Sequence, residues 1–290
     1  MIMIEEVFNL IGMEFVRIKP GKYLRGNEFQ NLEAFWEEVL RQGYEDAIKE
    51  WYKREFPRHE VIISSPFFMG TTPITNREFF MFLEETGYIP TSIQGGKHYH
   101  WLQQEHRWGN SYITIEDYLA NARDRSNNPA TGVSWCDANE FIAWLSKKDG
   151  RNYSLPTEAQ WEYAARDGSK GIFPVDVVDD RWEGSLDDIA WNIRNAENLT
   201  HTVKTKLPNS RGIYDILGNV WEWCLDGFRE EEYPSLKPFV KDPVGISETV
   251  LKSLKGGSYL DYARSLRPAD RFGFDMRSGS DDIGFRIIHS

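Results

Sequence analysis

The sequence predicts an α+β fold, and three observations carry that reading. Hydrophobic spacing switches between a period of two and a period near 3.6 along residues 13–168. Regular spacing then gives way to Gly, Pro and Asn turns from about residue 170 to 290. The chain also holds 11 Trp, 13 Tyr and 17 Phe, a load that suits cores in which large rings fill gaps left by irregular backbone.

Taken in order, Met13-Glu14-Phe15-Val16-Arg17-Ile18 alternates apolar and polar residues ahead of Gly21 and Gly26, as a half-buried strand does. Leu32, Phe35, Trp36, Val39 and Leu40, then Tyr44, Ala47, Ile48 and Trp51, repeat at helical spacing, predicting an amphipathic helical insertion over 28–56. It reads as an apolar stripe packed on the domain, with partner binding as the alternative. Val61-Ile62-Ile63 and Phe67-Phe68-Met69-Gly70 are strand material. Thr75-Asn76 caps a helix running to about Thr86, Ser134 opens another that stops at Gly150, and Thr157 with Gln160 forms a capping box for a third ending near Gly168. Residues 91–127 read as an insertion loop. The long turn-rich half that follows must be held by something other than regular layers, for which bound cations and buried aromatics are the candidates.

The balance of 34 Lys+Arg against 45 Asp+Glu, a net charge of -11, argues against a nucleic-acid partner. No run approaches the roughly 18 apolar residues of a membrane span, and the first residues are acidic where a leader would be basic, so a cytoplasmic protein with no membrane partner is expected. Cys136 and Cys224 have no zinc-ligand spacing; they read as small core residues, with a single bridge as the alternative.

Five strings then carry a resemblance: Asn128 to Trp135 (NPATGVSW), Leu155 to Arg166 (LPTEAQWEYAAR), Gly212 to Trp223 (GIYDILGNVWEW), Gly256-Gly257-Ser258-Tyr259, and Gly284-Phe285-Arg286. In this order and spacing, from about residue 11 to the end, the chain is similar to the formylglycine-generating enzyme, or sulfatase-modifying factor, family. The resemblance implies a single domain over 1–290 with a variant of the C-type lectin fold: small antiparallel sheets, flanking helices, and irregular loops tied down by calcium. It also implies copper held by two cysteines in the segment after Gly-Gly-Ser-Tyr. Here residues 260–271 contain no cysteine, so no copper is expected, because monovalent copper needs soft thiolates.

What does carry over is calcium, with Asp215, Gly218, Val220 and Glu222 as ligands: two carboxylates and two main-chain carbonyls around a glycine turn suit a hard cation. A second family site would use Asn192 and Ile193, but its partner loop is shortened around Glu197 to His201. His98 and His100, at i and i+2, and His106 offer imidazoles for iron or zinc, as in related sulfoxide synthases, against the reading of a solvated loop. Ser258 takes the family's active-site serine position and Trp221 and Trp223 its aromatics, yet no motif sets a base beside the serine, which reads as a turn residue. Arg267, Arg271 and Arg286 read as partners of buried carboxylates rather than as an anion pocket.

The tail mixes Ser258, Tyr259, Asp261, Tyr262, Arg264, Ser265, Phe272, Phe274, Asp275 and Ser280 as a paratope does, with rigid rings for area and small polar groups for adaptable bonds. It resembles the variable proteins of diversity-generating retroelements. The expectation is a non-catalytic or diverged, calcium-stabilised binding domain whose segment 259–282 recognises a protein, peptide or small ligand. The alternative is a metal-dependent oxidoreductase with changed chemistry.

Overall fold

The computed structural model describes residues 6–28, 36–37, 40, 52–94, 98–102, 107–111, 115–174, 186–230, 239–246 and 248–290. Strands β1 (Glu6–Phe8), β2 (Glu14–Ile18), β3 (Gly21–Arg25), β4 (His59–Ile63) and β5 (Phe67–Gly70) lead into helix α1 (Asn76–Thr86). A hairpin of β6 (His98–Leu102) and β7 (Arg107–Ser111) follows, then α2 (Ile115–Asp124), α3 (Trp135–Asp149), β8 (Tyr153–Ser154) and α4 (Glu158–Arg166). The second half carries β9 (Trp221–Gly227), β10 (Phe239–Lys241), β11 (Leu251–Lys255), β12 (Phe272–Asp275), β13 (Gly279–Ser280), β14 (Ile283–Gly284) and β15 (Ile288–His289). Most of the predicted helical insertion, 28–56, lies outside the described residues, although Trp36 is buried and meets Tyr52 edge-on at 5.6 Å.

Capping explains why α1, α3 and α4 sit where the sequence puts them. Thr75 with Glu78, Ser134 with Asp137 and Thr157 with Gln160 each form a reciprocal capping box, and Gly87 and Gly150 end the first two in the left-handed region. The aromatic load fills the space between α1, α3 and the chain end: Phe79, Phe82, Phe141 and Phe285 meet at ring distances of 5.5–6.2 Å.

Among the described residues four small sheets form, ordered β1-β2-β5-β15-β8, β10-β4-β3, β12-β11-β9-β14 and β13-β6-β7. The first is antiparallel throughout; β15 enters it between β5 and β8, tying the chain end to both the early and middle strands. The other three depart from the antiparallel expectation, since β10 runs parallel to β4, β13 to β6 and β14 to β9. In each case a short late strand returns to a distant partner rather than to its chain neighbour, so no hairpin turn forces the pair to be antiparallel. The expected insertion loop at 91–127 is instead a hairpin followed by a helix, with β6 held by β13 in the register Gly279↔His98 and Ser280↔Tyr99.

Candidate functional site

A cavity of about 440 Å³ lies where the tail folds against the middle of the chain. Trp221 from β9, Leu254 from β11, Phe272 and Phe274 from β12, Ser280 from β13 and Ile283 from β14 supply one part of its lining. Leu260, Asp261, Arg264, Ser265, Arg267, Asp270 and Asp282 come from the connecting segments, Tyr99 from β6, and Tyr52 and Arg54 from the end of the helical insertion. The parallel seating of β13 on β6 is what brings Tyr99 beside Ser280, and its ring meets Phe274 edge-on at 5.5 Å. Gly257 makes the turn that launches this segment: its φ is +71°, and a Cβ there would come within 2.8 Å of Leu266 Cδ1.

Of the ten tail residues singled out from the sequence, Asp261, Arg264, Ser265, Phe272, Phe274 and Ser280 line the cavity. Tyr262 is not in the lining, but its ring carries the Arg264 guanidinium at 4.7 Å. Ser258 and Tyr259 are buried and outside the lining, and Asp275 is exposed, its carboxylate accepting from the Arg277 N–H. Tyr52, Arg54, Tyr99, Leu254 and Ile283 line the cavity from outside the segment 259–282 that sequence reasoning singles out, and Leu260, Arg267, Asp270 and Asp282 add to the lining from within it. Arg54 meets Asp270 at 3.4 Å across a separation of 216 residues, which no local pattern signals.

Ser258 has a structural explanation in the acids around it. Its N–H and its hydroxyl both donate to Asp261 Oδ2, at 2.9 and 2.8 Å, and Trp221 Nε1 donates to the same oxygen at 2.8 Å. The hydroxyl is therefore held as a donor to these carboxylates. Asp282 accepts from the Ser280 hydroxyl at 2.6 Å, and its main-chain oxygen accepts from the Trp221 N–H. Burial, with the nearby Asp261 charge adding to it, pushes the Asp282 carboxyl up to about 7; burial likewise raises Asp261.

The three tail arginines are committed to buried carboxylates, as read from the sequence. Arg271 bonds Glu158 in bidentate fashion at 2.8 and 2.6 Å, Arg286 does the same with Glu222 at 2.7 Å twice, and Arg267 bonds Glu55. Burial alone would raise the Glu158 carboxyl, but Arg271 and Arg25 hold it well below the usual range. The same contest brings Glu162 down to about 2 through Lys255 and Arg166. Much of what replaces regular layering in the second half is thus a set of buried ion pairs.

The loop expected to hold calcium centres on Gly218, whose φ is +73° and whose Cβ would fall 2.2 Å from the Trp191 carbonyl oxygen. Asp215 and Glu222 are both buried, so two negative charges share this loop with the single guanidinium of Arg286. Glu222 already accepts three bonds, two from Arg286 and one from Trp161 Nε1 at 2.6 Å. Among the described residues the Asp215 carboxylate accepts two bonds, from the Lys204 N–H at 2.9 Å and Asn219 Nδ2 at 3.3 Å. A carboxylate offers about four lone-pair sites, so the donor set fits a cation better on the Asp215 side than on the Glu222 side. Burial raises both carboxyls, as expected where negative charge outnumbers positive. At the second family position, Asn192 is engaged with Asp187 and the Arg194 N–H, and His201 stacks on Trp191 at 3.7 Å.

Among the described residues no three His, Cys, Asp or Glu side chains cluster as metal ligands. His98 and His100 have their backbone on β6, but their side chains, and all of His106, lie outside the described residues. Both thiols are free, Cys224 buried and Cys136 half-buried; burial raises each, and neither lines the cavity. No helix of the described residues is long and apolar enough to cross a membrane.

With this geometry in hand, comparison with known proteins is informative. A family model described as the sulfatase-modifying factor enzyme 1-like domain matches residues 7–290. The chain is 30% identical over 302 residues to a formylglycine-generating enzyme of Streptomyces coelicolor, covering 92% of this chain and 88% of that one. Among solved structures, PvdO from Pseudomonas aeruginosa matches with a TM-score of 0.75 at 23% identity, over 99% of this chain and 98% of its own. Treponema denticola variable protein 1 matches with a TM-score of 0.66 at 20% identity, over 100% and 99%. At these identities the two structures speak to fold alone.

Proposed function

The chain belongs to the family of sulfatase-modifying factor enzyme 1-like domains, and from that premise we propose that it is a diverged, non-catalytic member that binds a ligand through the segment 259–282. One observation carries the reading: the tail builds an aromatic-walled cavity of about 440 Å³, the size of a small-molecule site, and its described lining contains acids, arginines and rings but no thiol. The copper cysteines are missing from residues 260–271, and Asp261 holds the Ser258 hydroxyl, so the groups for thiolate chemistry are replaced by groups suited to recognition. The likeness in fold to a variable protein is consistent with a binding role. Calcium belongs to the proposal as a structural ion, held by Asp215 and the Gly218 and Val220 carbonyls, with Glu222 closing the loop through Arg286.

The test pairs a thermal-shift screen of small molecules and short peptides with oxygen-electrode measurements on copper-supplemented protein and a cysteine-containing peptide. Compounds should stabilise the native protein and fail with the cavity-filling variant Ser265→Trp, while no oxygen is consumed. Sustained oxygen uptake with conversion of the peptide cysteine would overturn the non-catalytic reading.

A further inference from the structure

The charges around the cavity divide into two groups. On one side Arg54 meets Asp270 at 3.4 Å, and Arg267 lies 3.6 Å from Asp270 and bonds Glu55, so two guanidiniums and two carboxylates offset one another. Arg264 is a third guanidinium in the lining, its face on the Tyr262 ring at 4.7 Å. On the other side stand Asp261 and Asp282, whose carboxylates accept from the neutral side chains of Trp221, Ser258 and Ser280. The acid end therefore presents negative charge that these hydrogen bonds orient but do not neutralise. Rings frame it: Trp221 lies 6.1 Å from Phe272, and Tyr99 lies 5.5 Å from Phe274. Carboxylates beside aromatic faces are the surroundings in which a cation is held by both ion pairing and ring quadrupoles.

Resting on the binding reading above, we infer that the cavity takes an organic cation, an ammonium or guanidinium group on an aromatic or aliphatic body. Its charge sits against Asp261 and Asp282, and its body lies among Trp221, Phe272, Tyr99 and Phe274. The raised carboxyl of Asp282 is consistent with this, since a bound cation supplies the counter-charge whose absence favours the protonated acid; the groups acting on it are Asp261, Asp281, Ser258 and Ser280. A neutral or anionic ligand of the same shape would leave the acid pair uncompensated.

Isothermal titration at pH 8 with benzylamine, benzyl alcohol and phenylacetate tests the inference, alongside Asp261→Asn and Asp282→Asn. Both amides keep an acceptor for the serine and tryptophan donors, and near-ultraviolet circular dichroism checks that each variant is folded. Benzylamine should bind at least tenfold more tightly than the other two, and each variant should weaken it at least fivefold. Nα-acetyl-lysine methylamide, run in parallel, separates a protein side chain from a free amine as the source of the cation; binding of either supports the class. Benzyl alcohol or phenylacetate binding as tightly as benzylamine, or unchanged affinity in both variants, would overturn the cation while leaving the binding site in place. No heat from any probe, together with an unmoved Trp221 indole N–H resonance, would overturn both readings.

Discussion

Replacing Asp282 by asparagine should change the way stability depends on pH, with the difference opening between about pH 4 and pH 7. The carboxyl is pushed from an ordinary value of 3.8 up to about 7, chiefly by burial. Because the folded state holds this proton more tightly than the unfolded chain, the group's stabilising contribution is fully present below about pH 4 and is lost as pH rises toward and through 7. Roughly three units at about 1.36 kcal/mol each sets the loss near 4 kcal/mol by pH 8. That is a large share of the roughly 5–15 kcal/mol that stabilises a typical domain. The amide of Asp282→Asn mimics the protonated acid, keeping an acceptor for the Ser280 hydroxyl without acquiring charge. It also relieves Asp261 of a like charge, which acts in the same direction. Urea denaturation of native and variant protein at pH 4.5, 6, 7 and 8 measures the difference. The variant should be ahead by about 1 kcal/mol at pH 4.5 and by about 2–4 kcal/mol at pH 8. Parallel pH profiles would refute the claim that Asp282 is buried without a compensating charge.

Three further outcomes follow from the loop between Asp215 and Glu222. Arg286→Met removes five hydrogen bonds, to Glu222, Gly70, Tyr214 and Asp215, and leaves Glu222 buried without its partner; a loss of about 3–5 kcal/mol is expected in urea titration. Adding Glu222→Gln to that variant should restore part of the loss, and a double-mutant cycle with no coupling would count against the pair. Gly218→Ala, forced to keep a φ of +73° with its Cβ 2.2 Å from the Trp191 carbonyl oxygen, should cost at least about 2 kcal/mol by the same assay, whereas a neutral result would mean that the turn relaxes freely. Millimolar calcium should raise the melting temperature, as expected for an ion that binds the folded state alone, and Asp215→Asn should abolish the rise. Elemental mass spectrometry of protein purified without added metal checks the same point, and an equal shift in native and variant protein would remove calcium from this loop.

Helices α1, α3 and α4 are legible in the sequence because the information that sets them is local. Thr75, Ser134 and Thr157 each satisfy an amide three residues on, and the residue three ahead returns the bond, so start positions can be read within a single turn. The strands of the second half are not legible. β9 is Trp221-Glu222-Trp223-Cys224-Leu225-Asp226-Gly227, with six residues buried and one half-buried, so it shows no alternation of apolar and polar side chains. Strands β13, β14 and β15 are two residues long, too short for a period to register at all. Of the buried acids in β9, Glu222 meets Arg286, while Asp226 accepts from the Glu158 and Gly245 N–H groups.

The same distinction between local and distant information explains which parts of the site the sequence reveals. The tail supplies Asp261, Arg264, Ser265, Phe272, Phe274 and Ser280 because a paratope-like mixture is visible in a contiguous segment. Tyr52, Arg54 and Tyr99 stay hidden because they reach the cavity through contacts that chain distance conceals: the parallel pairing of β6 with β13, and the Arg54–Asp270 ion pair. Arg54 and Glu55 from the insertion add one charge of each sign to the Asp270–Arg267 pair, so that end stays internally offset. With that end offset, the inferred cation preference rests on Asp261 and Asp282. A residue pattern in the tail therefore marks a contiguous part of the cavity wall, while the residues that complete the wall come from distant parts of the chain.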